Sequence, residues 1–148
     1  MLTVCLKTIT GVLIIIGSLV CGSQVMSKSQ CSTPGYIRDS LLGCYKIVLY
    51  PTAVTYDEGR HACVNDGGQL FLVNSAEKGV HLIKAIRSEM ITSAVIQGSR
   101  GPESSWFDEH GNPLSYLPSL IENKDDEEAT KLILKFAPDN INIMFSAI

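Results

Sequence analysis

Residues 55–73 read Thr55-Tyr56-Asp57-Glu58-Gly59-Arg60-His61-Ala62-Cys63-Val64-Asn65-Asp66-Gly67-Gly68-Gln69-Leu70-Phe71-Leu72-Val73. Thr55 followed three residues later by Glu58 is a capping box: each side chain satisfies a backbone N–H that the first helical turn leaves unpaired. Tyr56, Gly59, Ala62 and Cys63 fall on one stripe at helical spacing, so the helix buries Cys63. Gly67-Gly68 stops it. Gln69–Val73 then reads as a short apolar strand.

Upstream, Gly43–Tyr50 is aromatic and β-branched and ends at Pro51, which marks a strand. Downstream, Asn74 and Glu77 form a second capping pair. They open a helix to about Met90 with Val80, Ile83, Ile86 or Arg87, and Met90 inward, and Lys78, Lys84 and Glu89 in water. Ser93–Gln97 is a buried strand ended by Gly98, and Gly101-Pro102 turns the chain. Ser105–Phe107 is a strand meeting a turn at Glu109–Pro113, and Leu114–Leu120, interrupted by Pro118, is a loop. Lys124–Glu128 is a charge run. Lys131–Phe136 and Ile141–Phe145 are strands split by Pro138-Asp139. Strand, helix, strand, helix and then several strands make an α+β domain.

The N-terminus reads differently. One positive charge, Lys7, precedes the apolar run Val12–Val20, and Gly22 with Val20 two places before it fits a cleavage site. Residues 1–22 are therefore read as a cleaved signal peptide, 23–30 as a polar leader and 31–148 as one domain. Retained, the same segment would make the chain a type II membrane-anchored receptor. Cleavage removes Cys5 and Cys21 and leaves Cys31, Cys44 and Cys63 in an oxidising compartment. Cys31 and Cys44 pair across a short loop containing Pro34-Gly35, worth about 3 kcal/mol in the chain-entropy model. Cys63 is left unpaired, free to link two chains into a disulfide-bonded dimer.

Length and composition bound the rest. The chain has 148 residues and room for one domain. Its formal net charge of −3 gives no electrostatic warrant for nucleic-acid binding. A hydrophobic share of 45% is too apolar for a disordered chain.

Taken in order, these pieces resemble the C-type lectin-like domain in its long form, from about Cys31 onward. The resemblance rests on Cys31…Gly43-Cys44-Tyr45, on Thr55–Gly59…Cys63…Gly67–Leu70, on Val73-Asn74-Ser75…Glu77, on Val95–Gly98 and on Trp106–Tyr116. It implies two helices flanking small antiparallel sheets, a long loop region and a secreted, non-enzymatic recognition module. The ligand it implies is a glycan or an extracellular protein, met by the loop from about Leu114 to Thr130. The family would bond the first helix's Cys63 to a Cys on a closing strand. It would also supply a Cys near Lys131. This chain has neither after Cys63, so the resemblance implies a domain shortened at its C-terminal part.

In sugar-binding relatives, calcium is held by a carboxylate–proline–amide triplet, a further Glu and a late Asn-Asp pair. Ca²⁺ takes six to eight oxygens, and vicinal sugar hydroxyls complete its shell. Here Ile121-Glu122-Asn123 stands at the triplet without the proline, and Met144–Ala147 stands where the Asn-Asp pair would lie. A solvated loop is the first reading of Lys124–Glu128. A weak calcium site and ligand-binding set at Glu122, Asn123, Asp125 and Glu127 is the second.

Other constellations read blandly. His61, His81 and His110 lack zinc spacing. Gly98-Ser99-Arg100-Gly101 lacks the Gly-Lys-Ser/Thr of a phosphate loop, and no nucleophile–base–orienter set assembles. Trp106 reads as a core residue. A structural reading stands beside the recognition module: an extracellular-matrix component cross-linked through Cys63, its acidic loop facing a mineral or matrix surface.

Overall fold

The computed structural model describes residues 2–7, 31–86, 92–137 and 140–148. Among them are nine strands and two α-helices in the order β1 (Leu2–Lys7), β2 (Ile37–Asp39), β3 (Gly43–Leu49), α1 (Tyr56–Asn65), β4 (Gln69–Leu70), α2 (Ala76–Ile86), β5 (Ser93–Arg100), β6 (Trp106–Phe107), β7 (Ile121–Glu122), β8 (Lys131–Ala137) and β9 (Asn140–Ala147). A single 3₁₀ turn, Pro102–Ser104, follows β5. The class is α+β. The strands join one open sheet in the order β2-β3-β1-β5-β8-β9-β7, with β4 on β1 and β6 on β5. This replaces the several small sheets expected.

The capping box forms as read. The Glu58 backbone N–H donates to Thr55 Oγ1 at 3.2 Å, and the Thr55 N–H donates to Glu58 Oε2 at 2.8 Å. Tyr56, Gly59 and Cys63 are the buried stripe of α1. Gly59 lies on it for a packing reason, since a Cβ there would come within 2.5 Å of Thr3 Oγ1. The second helix starts one residue later than expected: Ser75, not Asn74, accepts from the Lys78 N–H at 3.2 Å. Its buried face is correspondingly Gly79, Leu82, Ile83 and Ile86, with Val80 only half-buried. The expected extension to Met90 lies outside the described residues.

Residues 2–7, read above as the start of an export leader, form the most central strand of the amino-terminal half. β1 pairs antiparallel with β3 over six residues, from Leu2 against Leu49 to Lys7 against Cys44. It also pairs antiparallel with β4 and parallel with β5. Thr3, Val4 and Cys5 are fully buried. Successive side chains of a strand point to opposite faces, and β1 uses both. Val4 joins the larger core, with Leu42, Tyr45, Phe71, Val73 and the inner face of α2. Cys5 joins a smaller core of Tyr36, Cys44, Tyr56, Cys63, Leu70 and Val95 under α1. The remainder of the leader, residues 8–30, lies outside the described residues.

Cys63 is bonded to Cys5, with the Cα atoms 5.1 Å apart. The expectation of an unpaired Cys63 is corrected for a definite reason. Counting cysteines after a cut at Gly22 discards Cys5, the very residue to which Cys63 is bonded. Cys31 and Cys44 bond as expected, Cα atoms 5.8 Å apart. Together the two bridges fit an oxidising compartment.

The carboxyl-terminal half is a strand ladder. β8 pairs antiparallel with β5 and with β9, and β7 runs parallel to β9. Leu132, Leu134, Phe145 and Ala147 are fully buried from it. No helix among the described residues is long and apolar enough to cross a membrane.

Candidate functional site

β5 ends at Arg100, the chain turns through Gly101–Ser105, and β6 brings Trp106 back beside it; Arg100 and Trp106 are backbone partners across that ladder. Leaving β6, the Leu114 N–H donates to the Trp106 carbonyl at 2.9 Å. The loop then crosses to β7, steadied by the Tyr116 ring set edge-on to Phe145 at 6.3 Å between centroids. Between this loop and the Arg100–Trp106 ladder lies an open cavity of about 460 Å³. Arg100, Trp106, Ser119, Lys124, Asp125 and Glu127 supply its donors, acceptors and one aromatic ring; Leu117, Pro118 and Ile121 supply apolar wall.

Trp106 is buried, as the sequence reading held, and its ring is roofed by the Arg100 guanidinium 5.1 Å from the centroid. That placement is a cation–π contact. The same guanidinium donates to two main-chain carbonyls, from Nη1 to Asp126 at 2.7 Å and from Nη2 to Lys124. The turn they belong to is otherwise closed by its own hydrogen bonds. The Asp126 N–H donates to the Asn123 carbonyl at 3.1 Å, the Ala129 N–H to the Asp126 carbonyl at 3.2 Å, and the Glu128 N–H to Asp126 Oδ1 at 3.0 Å. Asn123 takes the left-handed conformation, φ 54°, that starts this turn; asparagine tolerates it better than most residues.

The four residues picked from sequence do not act as one set. Asp125 and Glu127 line the cavity. Glu122 instead accepts from Lys135 Nζ at 2.7 Å, and that hydrogen bond holds its carboxyl below the usual carboxylate range. Both partners are more than a third exposed, so the pair adds little stability. Asn123 donates from Nδ2 to the Ala147 carbonyl at 3.3 Å. Among the described residues, no group of three or more His, Cys, Asp or Glu is placed to hold a metal ion. His81 pairs with Asp39 at 2.9 Å, and His110 faces Gln69 at 3.2 Å.

Arg100 and Ser119 were missed. Arg100 stood in the sequence only inside a failed phosphate-loop pattern. Its partners are backbone carbonyls 24 and 26 residues away, which no side-chain pattern announces.

A second polar cluster lies behind the sheet. Gln97, almost fully buried, donates from Nε2 to the Leu70 carbonyl at 2.6 Å and accepts from the Glu109 N–H at 3.2 Å. Burial pushes the Glu109 carboxyl above its ordinary range, against the opposing pull of Arg60, whose Nε lies 3.2 Å from Oε1. This cluster clamps the turn after β6 to β5 and α1. Gln97 is its buried end and Arg60, 44% exposed, its outer one.

The geometry defines a class: a disulfide-bonded α+β domain carrying a loop-walled polar cavity beside a roofed tryptophan. Comparisons with protein-family models, curated proteins and solved structures found no match.

Proposed function

We propose that the chain is an extracellular, non-enzymatic recognition module of the C-type lectin-like kind, and that its cavity takes a glycan without calcium. The single observation carrying this reading is the cavity itself, lined by cationic donors (Arg100, Lys124), anionic acceptors (Asp125, Glu127) and Ser119 together with apolar wall. Sugar hydroxyls donate and accept at once, and such a mixed lining suits them better than it suits a charged or wholly apolar ligand. The arrangement of elements adds support. A hairpin is bridged by Cys31–Cys44, and the Cys63 of the first helix is bonded to a strand lying beside β3. That strand is β1, Leu2–Lys7, and not a strand following Cys63 as the resemblance implies.

Calcium independence is part of the proposal, and two contacts support it. The Glu122 carboxylate is engaged by Lys135, and the Asn123 amide is turned to Ala147. A cation there would compete with the Lys135 ammonium for Glu122 Oε2, while Asn123 bonds through its Nδ2. The decisive assay is a glycan array of the full chain, run in calcium and in chelator. Binding that survives chelator and falls at least about tenfold in Asp125→Ala/Glu127→Ala, a loss of about 1.4 kcal/mol, is the expected outcome. No glycan bound under either condition ends the reading.

A protein ligand is the second reading. Leu117 and Leu120 on the same loop, 40% and 57% exposed, favour it. The matrix-component reading rested on a free Cys63, which here is bonded within the chain. The anchored-receptor reading turns on whether residues 1–22 are retained, of which 8–22 lie outside the described residues.

A further inference from the structure

We propose that Arg100 is the built-in cation of the long loop, a positioning residue that organises the 121–130 turn as a bound divalent ion would. Main-chain carbonyl oxygens are the groups a hard cation gathers, and here two of them, from Lys124 and Asp126, converge on one guanidinium. The planar fork satisfies two acceptors at fixed spacing, which a point charge does not. A third contact, the Trp106 ring 5.1 Å away, fixes the fork from below. A fourth ties its own backbone to the far end of the turn, the Arg100 N–H donating to the Thr130 carbonyl at 2.8 Å. The middle and the far end of the turn are thus fastened to one residue.

The charge belongs where it lies. Asp125, Asp126, Glu127 and Glu128 follow one another in that turn, and clustered carboxylates repel unless a positive charge stands among them. Ion-dependent loops lose their shape when the ion leaves. A loop fastened by a covalently attached guanidinium keeps its shape in chelator. The part of this inference that concerns the ligand rests on the glycan reading above; the part that concerns the loop does not.

The test is peptide-resolved hydrogen exchange on the full chain, comparing wild type with Arg100→Ala and Arg100→Lys, in calcium and in chelator. Exchange across 121–130 is expected to quicken at least about tenfold in both variants, within what losing one charge-assisted hydrogen bond allows. The α2 peptide, 76–86, stays as protected as in wild type, and chelator changes nothing. Lysine keeps the charge and loses the fork, so its failure separates geometry from charge. Unchanged exchange over 121–130 in Arg100→Ala overturns the proposal, as does full protection in Arg100→Lys. If Arg100→Ala also loosens α2, the lysine variant decides: 121–130 loosened with α2 intact supports the proposal, any other pattern overturns it. A failed glycan array with the expected exchange pattern would remove the ligand reading and leave the loop inference standing.

Discussion

Replacing Cys5 by serine tests the feature on which the fold departs most from the sequence reading. The Cys5–Cys63 bridge joins positions 58 residues apart. In the chain-entropy model a closed loop of that size removes about 4 kcal/mol of unfolded-state freedom, against about 3 kcal/mol for the 13-residue Cys31–Cys44 separation. Serine nearly matches cysteine in size but leaves a hydroxyl where Cys5 is fully buried among Tyr56, Leu70 and Val95, which adds a further cost. For a chain of this length a loss of about 4 kcal/mol lowers the thermal midpoint by roughly 10–20 °C.

Two measurements check this. Non-reducing peptide mapping of the full chain should recover a Cys5–Cys63 linked pair. Thermal melts should place Cys5→Ser well below wild type, with Cys31→Ser falling by less. The same logic decides the fate of the amino terminus, because a chain cut after Gly22 lacks β1 altogether and with it the buried Val4. A chain beginning at Ser23 is expected to melt without cooperativity. A Cys63 thiol that alkylates in denaturant without reductant, or a Ser23-start chain melting at the full chain's midpoint, refutes the placement of β1.

Three further outcomes follow from particular contacts. In Gly98→Ala the new methyl would stand 2.6–2.8 Å from the Leu132 side chain, so overpacking should cost about 1–3 kcal/mol, read from urea midpoints. Thr55→Ala removes the acceptor for the Glu58 N–H and should cost about 1 kcal/mol, with the loss confined to α1 in hydrogen exchange. Burial raises the Glu109 carboxyl, so its contribution is complete below the unfolded value near about 4.3 and is lost as pH climbs through the raised folded value. Glu109→Gln stays neutral and keeps an acceptor for Arg60. Its stability should therefore gain on wild type as pH rises above about 4.3 and stop gaining once the raised folded value is passed, and parallel curves would refute the assignment.

Local signals were legible and long-range ones were not. The Thr55–Glu58 cap and the Cys31–Cys44 bridge each close within a few residues, and both appear where the sequence puts them. The start of α2 came out one residue off, because Asn74 and Ser75 are both good caps and it is Ser75 that accepts from the Lys78 N–H. β1 was hidden in plain view. Thr3, Val4 and Cys5 are ordinary strand residues, but the longer apolar run Val12–Val20 claims the same segment for export. Of the site, the loop position was legible and its organiser was not: Arg100 acts on carbonyls, and carbonyls leave no mark in a sequence.

The two cores divide the labour of holding the chain together. All four bonded cysteines belong to or touch the smaller core under α1. The cavity lies at the other side of the sheet, on a ladder with no covalent tie among the described residues. On that ladder Lys131, standing where the resemblance would supply a cysteine, reaches toward α1, donating from Nζ to Ser99 at 3.0 Å and sitting 5.0 Å over the Tyr56 ring. Its backbone exchanges hydrogen bonds with Ile148 in both directions, at 3.0 and 2.9 Å. Such contacts stabilise without a covalent constraint, and elements that meet ligands come from the less stable part of a fold. A loop fastened by one guanidinium to a ladder of this kind can vary in length and charge while the bridged half stays unchanged. In the recognition reading this separation is what frees residues 114–130 to follow the ligand.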